Sequence, residues 1–339
     1  MMKQGEVTVA IIHPSVDEGG RWIDDFVDPA APYRFVKFGP NRAPLNWHKR
    51  GKTTTRAEWR NHFAQAYRAM KTRPDLVVAS FPPLTFACCV LKTLMFSKTR
   101  IIGWSFNFGG ASKSKLAAVY GRVFRRAAAL VVHSTAEIAF YARAFGLAPD
   151  RLRFIPYQQG ELTAAEPDEC FDLVAMGSAG RDYAALCDAV RGTGLRVLVI
   201  AKPSALNGID IPDEVECRAD LTLPECHSLS LSAPLAVLPV SETSSAAGQV
   251  TVLIAMAQGR AIIATRCPGT EDYLTDGVDS VLVPPHDSGA LRDAILALHS
   301  DPDRASRLGQ AAQATWQQKY SDPAAGQNLR ALLDEVTGK

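Results

Sequence analysis

What most constrains this chain is a repeated alternation: short runs of β-branched and other apolar residues, separated by stretches with helical apolar spacing. Continuous apolar runs suit strands buried on both faces, and such strands belong to parallel sheets connected by helices. In the first half, strands are expected at Val7–Ile12, Tyr33–Phe38, Leu76–Ser80, Arg100–Trp104, Leu130–His133 and Arg153–Ile155, with helices over Thr55–Thr72 and Ser114–Arg126. Gln158 to Glu169, rich in Glu, Ala and Pro, has no apolar periodicity and reads as a connector. The pattern then restarts, with strands expected at Phe171–Ala175, Arg196–Ile200, Val215–Arg218, Leu235–Pro239, Ala261–Thr265 and Ser280–Val283. Helices are expected at Tyr183–Arg191, Thr251–Gln258, Gly289–His299, Pro302–Lys319 and Pro323–Val336. A chain of 339 residues accommodates two domains of roughly 150 residues each. The expected architecture is α/β: two doubly wound parallel-sheet domains, 1–157 and 158–322, facing across a cleft, with 323–339 a helix that returns to the first domain. Ligands then bind outside the carboxyl ends of the strands.

Charge divides along the same line. Residues 1 to 157 hold 24 Lys and Arg against 10 Asp and Glu, whereas the remainder holds 13 against 25. A basic first half suits a charged acceptor or an anionic membrane surface; without a recognised motif it does not point to nucleic acid. The stretches Phe86–Phe96 (with Lys92, Lys98 and Arg100 near it) and Lys113–Arg126 are basic and amphipathic, as a helix resting on lipid would be. Seven cysteines without a CxxC pair fit a reduced, cytoplasmic protein. No apolar stretch is long enough to span a bilayer, so any membrane contact is expected to be peripheral, at the inner face.

The most informative segment runs from Ala236 to Asp287. It reads as a buried strand, a loop of small hydroxylated residues, a helix opening at Gly248-Gln249-Val250-Thr251, a glycine cap at Gly259, a second strand, a Pro-Gly turn and a third short strand. A helix start offers unpaired N–H groups and the positive end of the dipole, which suits a diphosphate. The ordered stretches Ala255-Met256-Ala257-Gln258-Gly259, Ala261-Ile262-Ile263-Ala264-Thr265, Gly269-Thr270-Glu271, Asp276-Gly277 and Val281-Leu282-Val283-Pro284-Pro285-His286-Asp287 carry a resemblance. This region resembles the retaining GT-B glycosyltransferases of the glycogen-synthase-like and sucrose-synthase-like group, the glycosyl transferases group 1. The resemblance implies a GT-B fold of two Rossmann-like domains. It also implies a nucleotide-diphosphate sugar as substrate, no other cofactor, no metal, and a saccharide or lipid-linked acceptor. The chain departs from the family where two glutamates stand in an E-x7-E spacing, since Ala246 and Ile254 occupy those positions.

Within that resemblance, Arg181 in Met176-Gly177-Ser178-Ala179-Gly180-Arg181-Asp182 is the expected diphosphate ligand, because a guanidinium binds phosphate oxygens bidentately. Its alternative is a helix-start ion pair with Asp182 or another acid. Lys202, after the next strand, is a second donor-binding candidate, beside Gly248, Gln249, Val250 and Thr251. Glu242 is the carboxylate expected to reach the sugar or ribose, and His133, at a strand end, is the other catalytic candidate. For the acceptor, Gly19 and Gly20 after the first strand and Asn107 within Trp104-Ser105-Phe106-Asn107-Phe108 are the expected contacts, the aromatic rings either stacking on sugars or packing within the protein. The expected function is hexosyl transfer in surface-polysaccharide biosynthesis. The alternative is a non-catalytic GT-B-like binding protein that has lost its donor contacts; a sugar-phosphate epimerase would need cleft carboxylates at spacings that are not found.

Overall fold

The computed structural model describes residues 6–40, 54–108, 116–241 and 247–339. The chain divides into two compact units, Met1–Ile155 with Gly326–Lys339, and Pro156–Ala325.

The first unit is built on a sheet of β1 (Val7–Ile12), β2 (Tyr33–Phe38), β3 (Leu76–Ser80), β4 (Arg100–Trp104), β5 (Ala129–Val132) and β6 (Leu152–Phe154). Every pairing is parallel, in the order β2-β1-β3-β4-β5-β6. The connections carry α1 (Arg56–Lys71), α2 (Pro82–Leu94), α3 (Ala117–Phe124) and α4 (Thr135–Phe145). Sequence dictates where they start. Thr55 and Glu58 form a reciprocal cap that satisfies two orphan N–H groups of α1, and two prolines pre-set the backbone of the first turn of α2. Val77, Leu84, Cys88, Ile101, Phe106 and Phe124 meet in the core. The last turns of α11 (Asp322–Thr337) pack on this unit, where Tyr33 Oη donates to Asp334 at 2.5 Å and Arg153 pairs with Glu335.

One close approach limits the sequence of α3. A Cβ added at Gly121 would stand 1.8 Å from the carbonyl oxygen of Phe145 at the end of α4. Backbone cannot yield as a side chain does, so Gly121→Ala is expected to destabilise this unit by about 2–3 kcal/mol, through forced separation of α3 and α4. A urea midpoint equal to wild type would contradict that packing.

The second unit repeats the plan with β7 (Leu173–Met176), β8 (Val197–Ile200), β9 (Val215–Arg218), β10 (Leu235–Leu238), β11 (Ala261–Thr265) and β12 (Val281–Val283). The order is β12-β11-β10-β7-β8-β9, again all parallel. Its helices are α5 (Tyr183–Val190), α6 (Leu223–Ser230), α7 (Gln249–Ala257), α8 (Pro268–Glu271), α9 (Ser288–His299) and α10 (Pro302–Lys319). Leu173, Val197, Val199, Val237 and Ile263 form one core layer, while Leu238, Leu253, Met256, Ile262 and Leu282 form another. The central strands are therefore buried on both faces, which is why they read as unbroken apolar runs.

Each sheet reverses its winding once. In the first unit the chain passes from β1 to β2 and then crosses to β3 on the other side of β1; in the second it runs β7, β8, β9 and then crosses to β10 beside β7. The crevice beyond the carboxyl ends of the two strands at such a reversal is where doubly wound sheets bind ligands. That rule selects the loops after β7 and β10 in the second unit, and after β1 and β3 in the first. Among the described residues, no helix is long and apolar enough to cross a membrane.

Candidate functional site

The loop after β7 is pinned to the end of β10. Asp182 N donates to Pro239 O at 2.8 Å, Ser241 N to Gly180 O at 3.1 Å, and Arg181 pairs with Val240 as an isolated antiparallel bridge. The side chain of Arg181 then turns back under its own loop, donating to Met176 O at 3.2 Å and Ala179 O at 2.8 Å. Its Nη2 also donates to Thr251 Oγ1 at 3.1 Å, in the first turn of α7. Gly177 makes this path possible: its φ is 116°, and a Cβ there would stand 2.5 Å from Arg181 Nη2.

Electrostatically the arrangement is incomplete. Among the described residues no carboxylate pairs with Arg181; burial holds its pKa below the usual value, and only Tyr183 and Cys267 oppose that shift. Asp182, the partner that a helix start offers, is engaged elsewhere. It caps α5 through Ala185 N at 3.1 Å and bonds His286 Nδ1 at 2.6 Å. A part-desolvated guanidinium without a carboxylate partner is costly, and the start of α7, which it contacts, is a complement to an incoming anion. Gly248 sits there in the left-handed region with φ 97°, and Val252 N takes the first intrahelical acceptor, Gly248 O, leaving the N–H groups of Gln249, Val250 and Thr251 as first-turn donors. Gln249 is buried, whereas Val250 is 55% exposed, so the two sides of this turn face protein and solvent.

The loop after β8 is tied to the same edge. Lys202 N donates to Ser178 Oγ at 2.9 Å, and the Lys202 side chain is exposed. The structure thus brings Arg181 and Thr251 into contact, with Gly248, Gln249 and Val250 on the same turn and Lys202 one strand away. Ile254 is 3% exposed among apolar side chains. Glu242 and Ala246 lie outside the described residues.

In the first unit, the expected residues are distributed over the carboxyl-end loops. Gly19 is exposed, and Gly20 closes a turn by donating to Asp17 O at 2.9 Å while its carbonyl accepts from Lys37 Nζ at 2.8 Å. Asn107 is exposed, with its backbone N–H on Ser105 O. The aromatic residues flanking it pack within the protein, the second of their two readings. Phe106 is buried against Phe124, Tyr141 and Phe145, with edge contacts at 4.8–6.0 Å, and Phe108 packs on the same cluster, so neither ring is offered to a sugar.

His133 is 2% exposed. Nδ1 lies 2.6 Å from Ile155 O and Nε2 2.8 Å from Ser105 Oγ. A carbonyl can only accept, so the proton sits on Nδ1 and Ser105 donates to Nε2. Burial lowers the pKa of His133 to about 4, against a smaller opposing effect of Ile155 O. The imidazole is therefore a neutral clasp between the ends of β4, β5 and β6. Ser105 itself, with φ 52°, is held in the left-handed region by this clasp. Among the described residues, no group of three His, Cys, Asp or Glu side chains is placed to hold a metal ion.

The roles of Gly177 and Ser178 were not assigned from the sequence, although a glycine directly after a strand and four residues before an arginine was the available signal.

Solved structures with the same architecture place this fold. The chain is similar to sucrose-phosphate synthase from Thermosynechococcus elongatus, with TM-score 0.67 and 15% identity over 98% of this chain and 100% of that one. It is similar to Anabaena HepE in complex with UDP-glucose, with TM-score 0.66 and 14% identity over 97% and 100%. It is also similar to the lipopolysaccharide outer core galactosyltransferase WaaB in its apo form, with TM-score 0.66 and 14% identity over 97% and 99%. The fold is GT-B, two Rossmann-like domains. Residues 189–301 match the model of the family described as glycosyl transferases group 1. No curated protein matches the chain.

Proposed function

We propose that the protein is a glycosyltransferase that moves a sugar from a nucleoside-diphosphate donor to a saccharide or lipid-linked acceptor with retention at the anomeric carbon. The observation that carries this reading is the largely desolvated guanidinium of Arg181, which has no carboxylate partner among the described residues and is clasped to the first turn of α7 where the second sheet reverses. A diphosphate supplies the missing negative charge and accepts from the helix-start N–H groups. HepE, which shares the fold, was solved with UDP-glucose.

In this reading, Arg181, the start of α7 and Lys202 stabilise the charge that develops on the leaving diphosphate as the glycosidic bond breaks. The leaving phosphate takes the acceptor proton, so no protein base is required, and His133 positions β4 to β6 instead of exchanging protons. Glu242 is assigned to the hydroxyls of the sugar or ribose, which Ile254 cannot bind. Asn107, Gly19 and Gly20 are assigned to the acceptor, and surface-polysaccharide synthesis in the cytoplasm is the setting.

The test is incubation of the protein with UDP-glucose, UDP-galactose and GDP-mannose, following release of the free nucleotide with and without oligosaccharide acceptors. Acceptor-stimulated release from one donor is expected. Nucleotide binding without release from any donor would favour a non-catalytic binding protein. A companion variant, Thr251→Val, is expected to weaken nucleotide affinity by roughly fivefold to tenfold by releasing Arg181 Nη2; unchanged affinity would place the nucleotide elsewhere.

A further inference from the structure

The amino end of the first sheet carries a feature that donor or acceptor binding does not use. Helix α2 ends in a paired-bond cap: Phe96 N donates to Thr93 O at 3.3 Å and Ser97 N to Lys92 O at 2.9 Å. The residue at the turn of this cap takes the left-handed conformation and is ordinarily glycine. Here it is Phe96, with φ 49° and 92% of its surface exposed. Leu94, two residues earlier, is 68% exposed. A phenylalanine is doubly unfavourable at this point, since its backbone is strained and its ring is in water. Neither cost is offset by packing within the described residues.

Positive charge stands beside Phe96. The end of α1 and the loop before β3 bring Lys71 and Arg73, and the loop before β4 and the first residue of β4 bring Lys98 and Arg100; Thr99 Oγ1 ties the two loops together through Pro74 O at 2.7 Å. Arg73, Phe96, Lys98 and Arg100 line one depression. Among the described residues, no carboxylate forms an ion pair with Lys71, Arg73, Lys98 or Arg100. Asp75, the acid nearest in sequence, accepts from Thr8 N. Lys92 reports the same field: burial first, and then the guanidinium groups of Arg126, Arg100 and Arg151, lower its pKa, with Cys89 opposing.

We propose that this edge docks on an anionic lipid bilayer, Phe96 and Leu94 entering the interface while Lys71, Arg73 and Lys98 meet the headgroup phosphates. Protruding apolar side chains beside cations that make no ion pair among the described residues match a surface that is negative at the headgroups and apolar beneath. Strands of five or six residues separate this edge from the carboxyl-end loops by about 17–20 Å. A bilayer held here meets the end of the first sheet away from Gly19, Gly20 and Asn107, and favours acceptors whose sugars extend well clear of the lipid. The docking proposal does not depend on the transferase reading, because vesicle binding requires no donor.

The test is co-sedimentation of the whole protein with vesicles of phosphatidylcholine alone, and with a third of the lipid replaced by phosphatidylglycerol. Binding to the anionic vesicles only, weakened by salt, is expected. Lys71→Ala and Lys98→Ala should each lower the partition coefficient about fivefold, and Phe96→Gly roughly tenfold. Phe96→Gly also relieves the strained cap, so it should melt at or above the wild-type temperature while binding less; a misfolded variant would melt lower. Val278→Ala, an exposed apolar residue of the other unit, should bind as wild type. The proposal is overturned if anionic vesicles are not bound, if neutral vesicles are bound equally, or if Phe96→Gly binds undiminished. It is also overturned if a single-stranded RNA is bound through the lysines while vesicles are not.

Discussion

Replacing Arg181 with alanine is expected to lower affinity for a nucleoside diphosphate on the order of a hundredfold or more, while leaving the stability of the ligand-free protein nearly unchanged. The two halves of this expectation come from one geometry. Arg181 is the part-buried cation that contacts the first turn of α7, and among the described residues the other cation expected at this edge is the exposed Lys202. In the ligand-free protein, however, the same guanidinium is desolvated without a carboxylate partner among the described residues. Losing its bonds to Met176 O, Ala179 O and Thr251 Oγ1 is then set against relief of that desolvation, for a net change within about 1.5 kcal/mol. An arginine that served the fold alone would give the opposite pattern, with a marked fall in the urea midpoint. Titration of the variant with UDP, beside urea denaturation of the unliganded protein, separates the two.

The second large effect is on pH. His13 and His133 are both desolvated in the first unit, and burial lowers each pKa to about 4. His13 Nδ1 accepts from Ser15 N at 3.1 Å, a bond that protonation of that nitrogen would break. In the unfolded chain each imidazole titrates near the usual 6.5. Between pH 6.5 and 4 the unfolded state therefore binds more protons than the folded one. The stabilisation from the neutral rings is complete above 6.5 and is lost as pH falls through that window. Between pH 7 and 5 each ring is expected to cost about 2 kcal/mol of stability, or about 4 kcal/mol together. Urea denaturation followed by tryptophan fluorescence at the two pH values measures this. The His13→Gln, His133→Gln double variant should lose much less over the same interval; a loss equal to wild type would mean the two rings are already charged or exposed.

The strands were legible because the chemistry that defines them is local. In β3, β8 and β11 every residue is buried, and an unbroken run of apolar residues cannot be satisfied any other way. Several helices were less visible. Helix α2 begins at Pro82, whereas the sequence drew attention to 86–96, because Lys92 and Lys98 dominate its visible polarity while Leu84, Cys88 and Cys89 face the core. Helix α7 starts two residues before the expected Thr251, since Gly248 caps it without a side chain that announces the boundary. The segment after His133 concealed α4, whose cap residue Ser134 makes no side-chain cap bond.

For the candidate site, sequence resemblance named Arg181 and the start of α7 but not their contact. Seventy positions separate Arg181 from Thr251, and only the strand order, which places β10 beside β7, brings them together. Phe106 shows the converse. An aromatic residue at a strand end looks the same in sequence whether it stacks on a sugar or fills a core, and here α3 and α4 close over it. Nor is it legible in sequence that His133 gives both ring nitrogens to the protein, because Ser105 and Ile155 arrive from other strand ends.

Calorimetric titration of the wild-type protein with UDP and with GDP addresses the central claim most directly. Micromolar binding of one of them, at one site per chain and lost in Arg181→Ala, is the result this structure predicts. If neither nucleotide binds, or if binding survives in Arg181→Ala, then the Arg181 guanidinium is not a diphosphate site and the transferase reading fails.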